Sequence, residues 1–305
     1  MPEWDAEVVV DEGLVDALLA EQFPELDGSS ARLLGEGWDN SVWVVEQRWA
    51  FRFPRRDIAI PGVERELAVL PKLAALLPVP IPLPYFVGKP SALFPWPFFG
   101  AALLPGREPA DVDLTDDDRI ELGGALGRFL RALHSPETLD AVDPERSLPI
   151  DFNRRADMIF RVPRARENLA YLRELGPWRP AAVVESILTS AEPLRPASAE
   201  LVLTHGDLHQ RHVLISDSAL AAVIDFGDVC LADPCIDLVL TWSLLTPDGR
   251  ERFFAEYGRV TEEQLLRARV LAIVLDSMLA RYAHDAGNPS LLRESIAGLE
   301  RTLVD

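Results

Sequence analysis

Cysteine is scarce in this chain: Cys230 and Cys235 are the two among 305 residues, too few for a disulfide framework. They are not spaced as the C-x-x-C of redox or zinc sites, and both stand among apolar residues, so buried, inert thiols are expected. No apolar run approaches the roughly 20 residues needed to span a bilayer. The first residues, Met1-Pro2-Glu3-Trp4-Asp5, lack the basic-then-apolar layout of a signal peptide, so the cytoplasm is the expected location. Positive charge is in deficit as well, with 30 Lys and Arg against 49 Asp and Glu and a net charge of −19. Such a field repels DNA and RNA, and no nucleic-acid partner is expected. What the chain does have is apolar residues, at 48%, ample for a buried core. Its length suits one large domain or two lobes.

Between Arg32 and Phe53 apolar residues alternate around turn residues. Leu33-Leu34, Val42 to Val45 and Trp49 to Phe53 predict three antiparallel strands, with turns at Gly35-Glu36-Gly37 and Glu46-Gln47-Arg48. Val63, Leu67, Leu70, Leu73 and Leu77 then recur at helical spacing, with Pro71 inside the run. The proline-rich stretch from Pro78 to Gly106 predicts extended edge strands and connections. From Asp116 the pattern turns helical. Thr115, or an aspartate of the run Asp111 to Asp118, is placed to cap a helix whose dipole favours those carboxylates. Arg119 to Ser135 is amphipathic. Two more helical stretches follow, the first interrupted by Pro163 and parted from the second by Gly176, Pro177 and Pro180. Short strands are expected at Leu201 to Leu203 and Ala222 to Ile224, and helices return from Ile236. Strands, a proline-rich crossing and a helical body predict an α+β protein of two lobes, residues 1–104 and 105–305.

The two late strands flank the segment THGDLHQRHVL, Thr204 to Leu214, which is followed by AVIDFGD. Asp207 comes after the first strand and Asp225 after the second, 18 residues later. A hairpin of that span would bring both carboxylates to one rim, with His212 on the loop's return. Carboxylate and imidazole together suit a divalent cation, while the remaining carboxylate can accept a proton. This is the division of labour in kinase-type phosphoryl transfer.

HGDLHQRHVLI with VIDFGDVCLADPCIDL resembles the aminoglycoside phosphotransferase family, small-molecule kinases of the protein-kinase-like fold. His205, Gly206 and Asp207 match its HGD-x-x-x-x-N element, Ile224 to Asp228 its I-D-[FW]-[GE]-D element, and Asp233, Pro234, Asp237 and Leu238 its D-P-x-x-D-L element. LGRFLRALHS and LLGEGWDNSVWVV resemble further family segments, so the likeness runs from about Leu33 to Leu245. It implies that Asp207 is the catalytic base and Asp225 a metal ligand. It also implies a nucleotide-covering loop from Gly35 through Gly37 to Ser41 and an adenine-binding hinge at Ala102, Leu103 and Leu104. ATP or GTP would be the donor, and magnesium, or manganese in its place, the ion. Asp233, Asp237 and His205 would brace the catalytic loop. His209 reads as a loop side chain and His134 as a helix-end residue.

Two departures stand out. His212 replaces the usual Asn, giving an imidazole nitrogen that suits manganese or zinc better than magnesium. Arg52 replaces the strand lysine, keeping the charge and adding a bidentate fork. Its carboxylate partner is expected at Glu66, which fits the family register better than Glu64. The resemblance therefore predicts an O-phosphotransferase, monomeric or homodimeric, that phosphorylates a hydroxyl of a small molecule, foremost an aminoglycoside or related antibiotic. A metabolic kinase of sugars or amino alcohols is the alternative, and a nucleotide-binding pseudokinase the second. The stretch from Asp151 to Pro196 carries Arg154, Arg155, Arg161, Arg164, Arg166, Arg173 and Arg179, a poor trap for a polycation. Its Phe152, Phe160, Tyr171 and Trp178 could instead line a pocket for a less charged compound.

Overall fold

The computed structural model describes residues 6–37, 39–179, 182–195 and 200–305; Met1 to Asp5, Trp38 of the expected covering loop, and Pro180 lie outside the described residues. The chain forms two compact units. One comprises Met1–Ala75, Pro80–Leu104 and Asp225–Asp228, the other Leu76–Val79, Pro105–Ile224 and Val229–Asp305. The short segment at Asp225 thus groups with the first unit although it lies far along the chain.

In the first unit, helix α1 (Glu12–Gln22) starts at Asp11, whose side chain accepts from the Leu14 amide at 2.9 Å. Five antiparallel strands follow: β1 (Ala31–Glu36), β2 (Asn40–Val45), β3 (Trp49–Pro54), β4 (Pro84–Gly88) and β5 (Phe98–Ala102), in the order β1-β2-β3-β5-β4. Helix α2 (Ile60–Leu73) lies between β3 and β4 in the chain and contains Pro71. Alternation along β3 sends Trp49, Phe51 and Phe53 to one face and Ala50 and Arg52 to the other. The first set joins Phe23, Phe86, Phe94 and Phe98 in an aromatic core. Within it Phe53 and Phe98 stack at 4.8 Å, while Phe23 meets Phe86 edge-on at 5.1 Å. Arg52 is therefore turned away from the core by strand periodicity alone.

The second unit is mostly helical. It contains α3 (Asp116–Leu133), α4 (Pro136–Val142), α5 (Met158–Leu175) and α6 (Ala182–Ala191). Four short strands follow, β6 (Val202–Thr204), β7 (Val213–Ser216), β8 (Ala219–Val223) and β9 (Cys230–Ala232), and then α7 (Leu240–Ser243), α8 (Pro247–Tyr257), α9 (Glu262–Asp285) and α10 (Pro289–Arg301). Thr115 caps α3 and Asp118 returns the bond to the Thr115 amide, the reciprocal arrangement that the acidic run suggested. Close approach of α3 and α8 needs a glycine: a Cβ on Gly123 would lie 2.2 Å from the Gly249 carbonyl oxygen. Helix α9 runs through the middle of the unit, with Ala268, Val270, Ala272 and Ile273 fully buried and α5, α6, α7 and α10 as neighbours. Among the described residues, no helix is long and apolar enough to cross a membrane.

Two expectations need correction. Pro163 does not interrupt α5, which continues through it. Proline removes one backbone donor, but Val162 and Ala165 beside it are buried, and that packing keeps the helix whole. The strands flanking the histidine-rich segment do not pair with each other, either. β6 pairs antiparallel with β9, and β8 pairs with β7. Strand partners are chosen by long-range burial, which a local reading of two apolar runs does not capture.

Candidate active site

In the first unit the expected turn begins later than Gly35: Gly35 and Glu36 still belong to β1, opposite Val42 and Ser41, and Gly37 follows the strand, its amide donating to the Asn40 carbonyl at 2.8 Å. Ser41 pairs with Glu36 and is buried. Ala102 ends β5, and the Leu103 amide donates to the Arg48 carbonyl at 2.7 Å, with Leu104 following. Arg52 lies between two carboxylates. Its Nη1 donates to Glu66 Oε1 at 3.1 Å and its Nη2 to Asp225 Oδ1 at 2.8 Å. Glu66, wholly buried on α2, also accepts from the Phe226 amide at 3.0 Å. Arg65, one residue earlier, grips the Gly227 carbonyl through Nε at 2.9 Å and Nη2 at 2.6 Å. Asp225 itself adopts φ +67°, a left-handed backbone that costs a non-glycine residue energy.

The electrostatics follow from this crowding. Burial acts to lower the Arg52 pKa, but Asp225, Glu66 and Asp228 outweigh it and hold the guanidinium firmly charged. Burial pushes the Glu66 carboxyl up to about 7, against the pull of Arg52 and with the added repulsion of Asp225. Its Oε2 is buried with no hydrogen-bond partner among the described residues, which fits an acid that holds its proton easily.

In the second unit, β6 delivers the chain to a loop that turns at Gly206, φ +85°, and ends in a 3-10 turn over Gln210–His212 before β7. Asp237 clamps this loop from below. Its Oδ2 accepts from the His205 amide at 2.6 Å, and its Oδ1 from the Gly206 amide at 3.0 Å. His134 Nε2 lies 3.1 Å from Asp237 Oδ2, and His134 Nδ1 lies 2.8 Å from the Tyr257 hydroxyl. Burial works to raise the Asp237 pKa, but His134, His205 and the His205 amide win and hold it below the ordinary value. Asp233 accepts from the Cys235 amide at 2.8 Å and starts the short 3-10 turn after β9. Both cysteines are buried with thiol pKa values pushed up by burial.

The hydrogen bonds fix which nitrogen of each loop imidazole carries a proton. His205 Nδ1 accepts from the Asp207 amide at 3.3 Å, so its Nε2–H donates to the Ile224 carbonyl at 2.9 Å. His209 Nδ1 accepts from the Arg211 amide at 3.2 Å, leaving the proton on Nε2, which faces Asp207 Oδ2 at 3.7 Å. His212 is reversed: its Nδ1–H donates to the Asp207 carbonyl at 2.7 Å. The rings of His209 and His212 lie 3.8 Å apart. Arg155 reaches the same place from outside the loop, with Nη2 2.8 Å from Asp207 Oδ1. Asp151, at φ +27°, positions it by accepting from the Arg155 amide at 2.6 Å and the Ala156 amide at 2.9 Å.

A family model described as "Phosphotransferase enzyme family" matches residues 30–271 of this sequence. The chain belongs to that family. The phosphotransferase is 28% identical over 204 residues to an aminoglycoside 3'-phosphotransferase of Escherichia coli, 64% of this chain and 69% of that one. Among solved structures it is similar to the GDP complex of wild-type aminoglycoside 2'-phosphotransferase-IIIa, with TM-score 0.69, 22% identity, and 96% and 99% of the two chains covered. It is also similar to macrolide 2'-phosphotransferase from Brachybacterium faecium, with TM-score 0.60, 21% identity, and 93% and 97% covered. At these identities the two structures show the fold, which is that of kinase-like phosphotransferases. The chain is an enzyme of phosphoryl transfer.

Within the phosphotransferase, the sequence motifs resolve into two groups, Arg52, Glu66 and Asp225 in one unit and Asp207, His209 and His212 in the other. Donor atoms of the latter three lie within 4.8 Å of one another, a spacing open to a metal. The tautomers divide them, however. His212 turns a ring nitrogen bearing a lone pair away from the Asp207 carbonyl, as a metal ligand must, whereas Nε2 of His209 carries a proton. Asp225, with 37% of its side chain exposed, keeps an accessible carboxylate. His212 and Asp225 therefore each fit the chemistry of a cation ligand in their own unit. Arg155 is the residue that sequence reasoning missed, since there it is one of seven arginines. His134 does more than end α3, because it buttresses Asp237. Of the aromatic residues of that stretch, Trp178 is buried, Tyr171 donates to Asp285 at 2.8 Å, and Phe160 lies under Arg154 and Arg161.

Proposed function

We propose that this phosphotransferase moves the γ-phosphoryl group of ATP or GTP to a hydroxyl of a small molecule, foremost an aminoglycoside or related antibiotic, in the cytoplasm. Asp207 orients the acceptor hydroxyl and takes its proton. Arg52, with Glu66 as its anchor, binds nucleotide phosphate; Gly35, Gly37 and Ser41 cover it, and Ala102, Leu103 and Leu104 form the adenine hinge. His212 and Asp225 are the residues we assign to a divalent cation, magnesium or manganese. When bound, such an ion neutralises charge on the transferring phosphoryl group. The observation that carries this reading is the clamp of Asp237 on the His205 and Gly206 amides, which immobilises the backbone next to Asp207. A base that must meet a hydroxyl at hydrogen-bond distance needs that rigidity.

Arg155 on Asp207 favours a second reading of the acceptor, because a guanidinium beside the base opposes a polycation and tolerates a neutral sugar or amino alcohol. One experiment separates these readings. Purified protein receives ATP or GTP with magnesium or manganese and a panel of aminoglycosides, macrolides, sugars and amino alcohols. Acceptor-dependent release of ADP or GDP is expected, abolished in Asp207→Ala. Nucleotide binding with no transfer to any acceptor would leave a pseudokinase, and wild-type turnover in the alanine variant would remove Asp207 from the mechanism.

A further inference from the structure

A buried acid outside these two groups touches the catalytic loop. Asp276, near the middle of α9, is 1% exposed and faces Gln210. Gln210 stands three residues after Asp207 and two before His212, and it is 3% exposed. Its Nε2 donates to Asp276 Oδ1 at 3.3 Å and to Ser295 Oγ of α10 at 3.1 Å. One glutamine thus ties the loop to two helices.

Two polar atoms of this contact are buried with no hydrogen-bond partner among the described residues, Gln210 Oε1 and Asp276 Oδ2. If Asp276 is ionised, both are acceptors, and neither can satisfy the other. Each unmet acceptor in a buried position carries a desolvation cost. A single proton on the carboxyl group turns one of them into a donor.

Among the described residues, no cation donates a hydrogen bond to Asp276. Arg301 of α10 exerts an attraction on Asp276, but its Nε donates to the Ser243 carbonyl and its Nη2 to Glu294. Arg119 of α3 likewise donates to the Leu244 carbonyl and to Glu294. Glu294 repels Asp276, and the other face of the carboxyl group is closed by α10 itself. A Cβ on Gly298 would lie 2.3 Å from Asp276 Oδ2, so glycine is what allows the helix to lie against the acid.

We propose that Asp276 is an uncharged carboxylic acid in the folded protein, with its proton on the buried Oδ2 and its Oδ1 accepting from Gln210, and so acts as a positioning residue for the loop that carries Asp207. Burial, the largest influence on this group, moves its pKa well above the ordinary value in the same direction. The protonation rests on the contact alone; the consequence for catalysis rests on the phosphoryl-transfer reading above.

Asp276→Asn keeps the shape and supplies a donor but does not ionise. Urea unfolding of the two proteins across pH tests the protonation. Unfolded, Asp276 titrates near its ordinary 3.8; folded, it titrates far higher. Between those values the folded state holds a proton that the unfolded state has released, so wild-type stability falls with rising pH. Relative to the Asn variant, the folding equilibrium weakens about tenfold per pH unit in that window. The Asn variant is therefore the more stable at neutral pH, and the gap closes on acidification. Difference infrared spectra at neutral pH show a protonated carboxyl stretch that the Asn variant lacks. An Asn variant that is less stable at neutral pH, or a wild type without that band, overturns the proposal. For positioning, Asp276→Ala and Gln210→Ala each lower kcat about tenfold, and the double variant loses little more, as expected of one coupled unit. Additive losses overturn the positioning role. Stability and the infrared band need no substrate, so their outcome is separate from whether the acceptor reading holds.

Discussion

Arg155 Nη2 lies 2.8 Å from Asp207 Oδ1, and the two side chains are 14% and 24% exposed. The pair is built from two distant pieces of sequence, the Asp151 turn and the HGD loop, each fixed by its own backbone hydrogen bonds. Holding one carboxylate oxygen in place restricts how the Asp207 carboxylate can turn, which matters if Asp207 is the base proposed above.

Arg155→Ala should therefore lower kcat rather than nucleotide affinity. A loss of about tenfold in kcat, with the KM for nucleotide unchanged, is expected for an orienting contact of roughly 1–2 kcal/mol in a partly exposed pair. Arg155→Lys should recover part of it, since the charge returns but the planar fork does not. Steady-state kinetics with nucleotide and acceptor varied separately check this. A fall in nucleotide affinity at unchanged kcat would assign Arg155 to the donor instead.

Arg52, Glu66 and Asp225 give a pH prediction with a definite sign. Glu66 is raised from an ordinary 4.5 to about 7 by burial. A raised carboxyl holds its proton in the folded state while the unfolded chain has lost it, so stability declines as pH climbs from 4.5 to 7. Glu66→Gln removes that decline, and urea melts at the two ends of this window should differ less for the variant, by on the order of 2–3 kcal/mol. Arg52→Met should act oppositely, leaving two carboxylates near each other without their cation. A cost of roughly 2–4 kcal/mol is expected, at the lower end because the Asp225 side chain is 37% exposed.

Asp237 shows how much of the site was legible beforehand. The D-P-x-x-D-L likeness marked it as bracing, and the structure gives that word content in two amide hydrogen bonds. Asp237→Asn would put an amide NH2 where a carboxylate accepts two N–H groups and a histidine. A loss of about 3–5 kcal/mol is expected, because a buried donor then faces donors. Amide hydrogen exchange checks it locally, with protection lost first at His205 and Gly206.

Signals with a local period were readable in the same way. The alternation from Trp49 to Phe53 gave β3 and the outward turn of Arg52, and Thr115 with Asp118 gave the start of α3. What was hidden depends on partners distant in the chain. β6 chooses β9 over β8, α5 absorbs Pro163 because its neighbours are buried, and Arg155 meets Asp207 across a turn made by Asp151. No spacing rule over one stretch of residues contains those choices. His134 was hidden for another reason: a helix-end histidine is common, and its partners Asp237 and Tyr257 lie 103 and 123 residues away.

His212 offers the sharpest test of a departure from the family pattern. Its Nδ1–H is spent on the Asp207 carbonyl at 2.7 Å, so in the neutral ring the lone pair is on the other nitrogen. An imidazole nitrogen in that position favours manganese over magnesium, which prefers oxygen. His212→Asn restores an amide whose NH2 can still donate to the Asp207 carbonyl and whose oxygen replaces the nitrogen as ligand. The loop conformation should survive, and the melting temperature should move by no more than a few degrees. The ratio of kcat/KM with magnesium to that with manganese should rise by about tenfold, the size of one changed ligand. Measuring the two metals on the same nucleotide, at fixed acceptor, separates this from a general loss of activity. An unchanged ratio with both rates reduced equally would make His212 a support for the Asp207 carbonyl and nothing more.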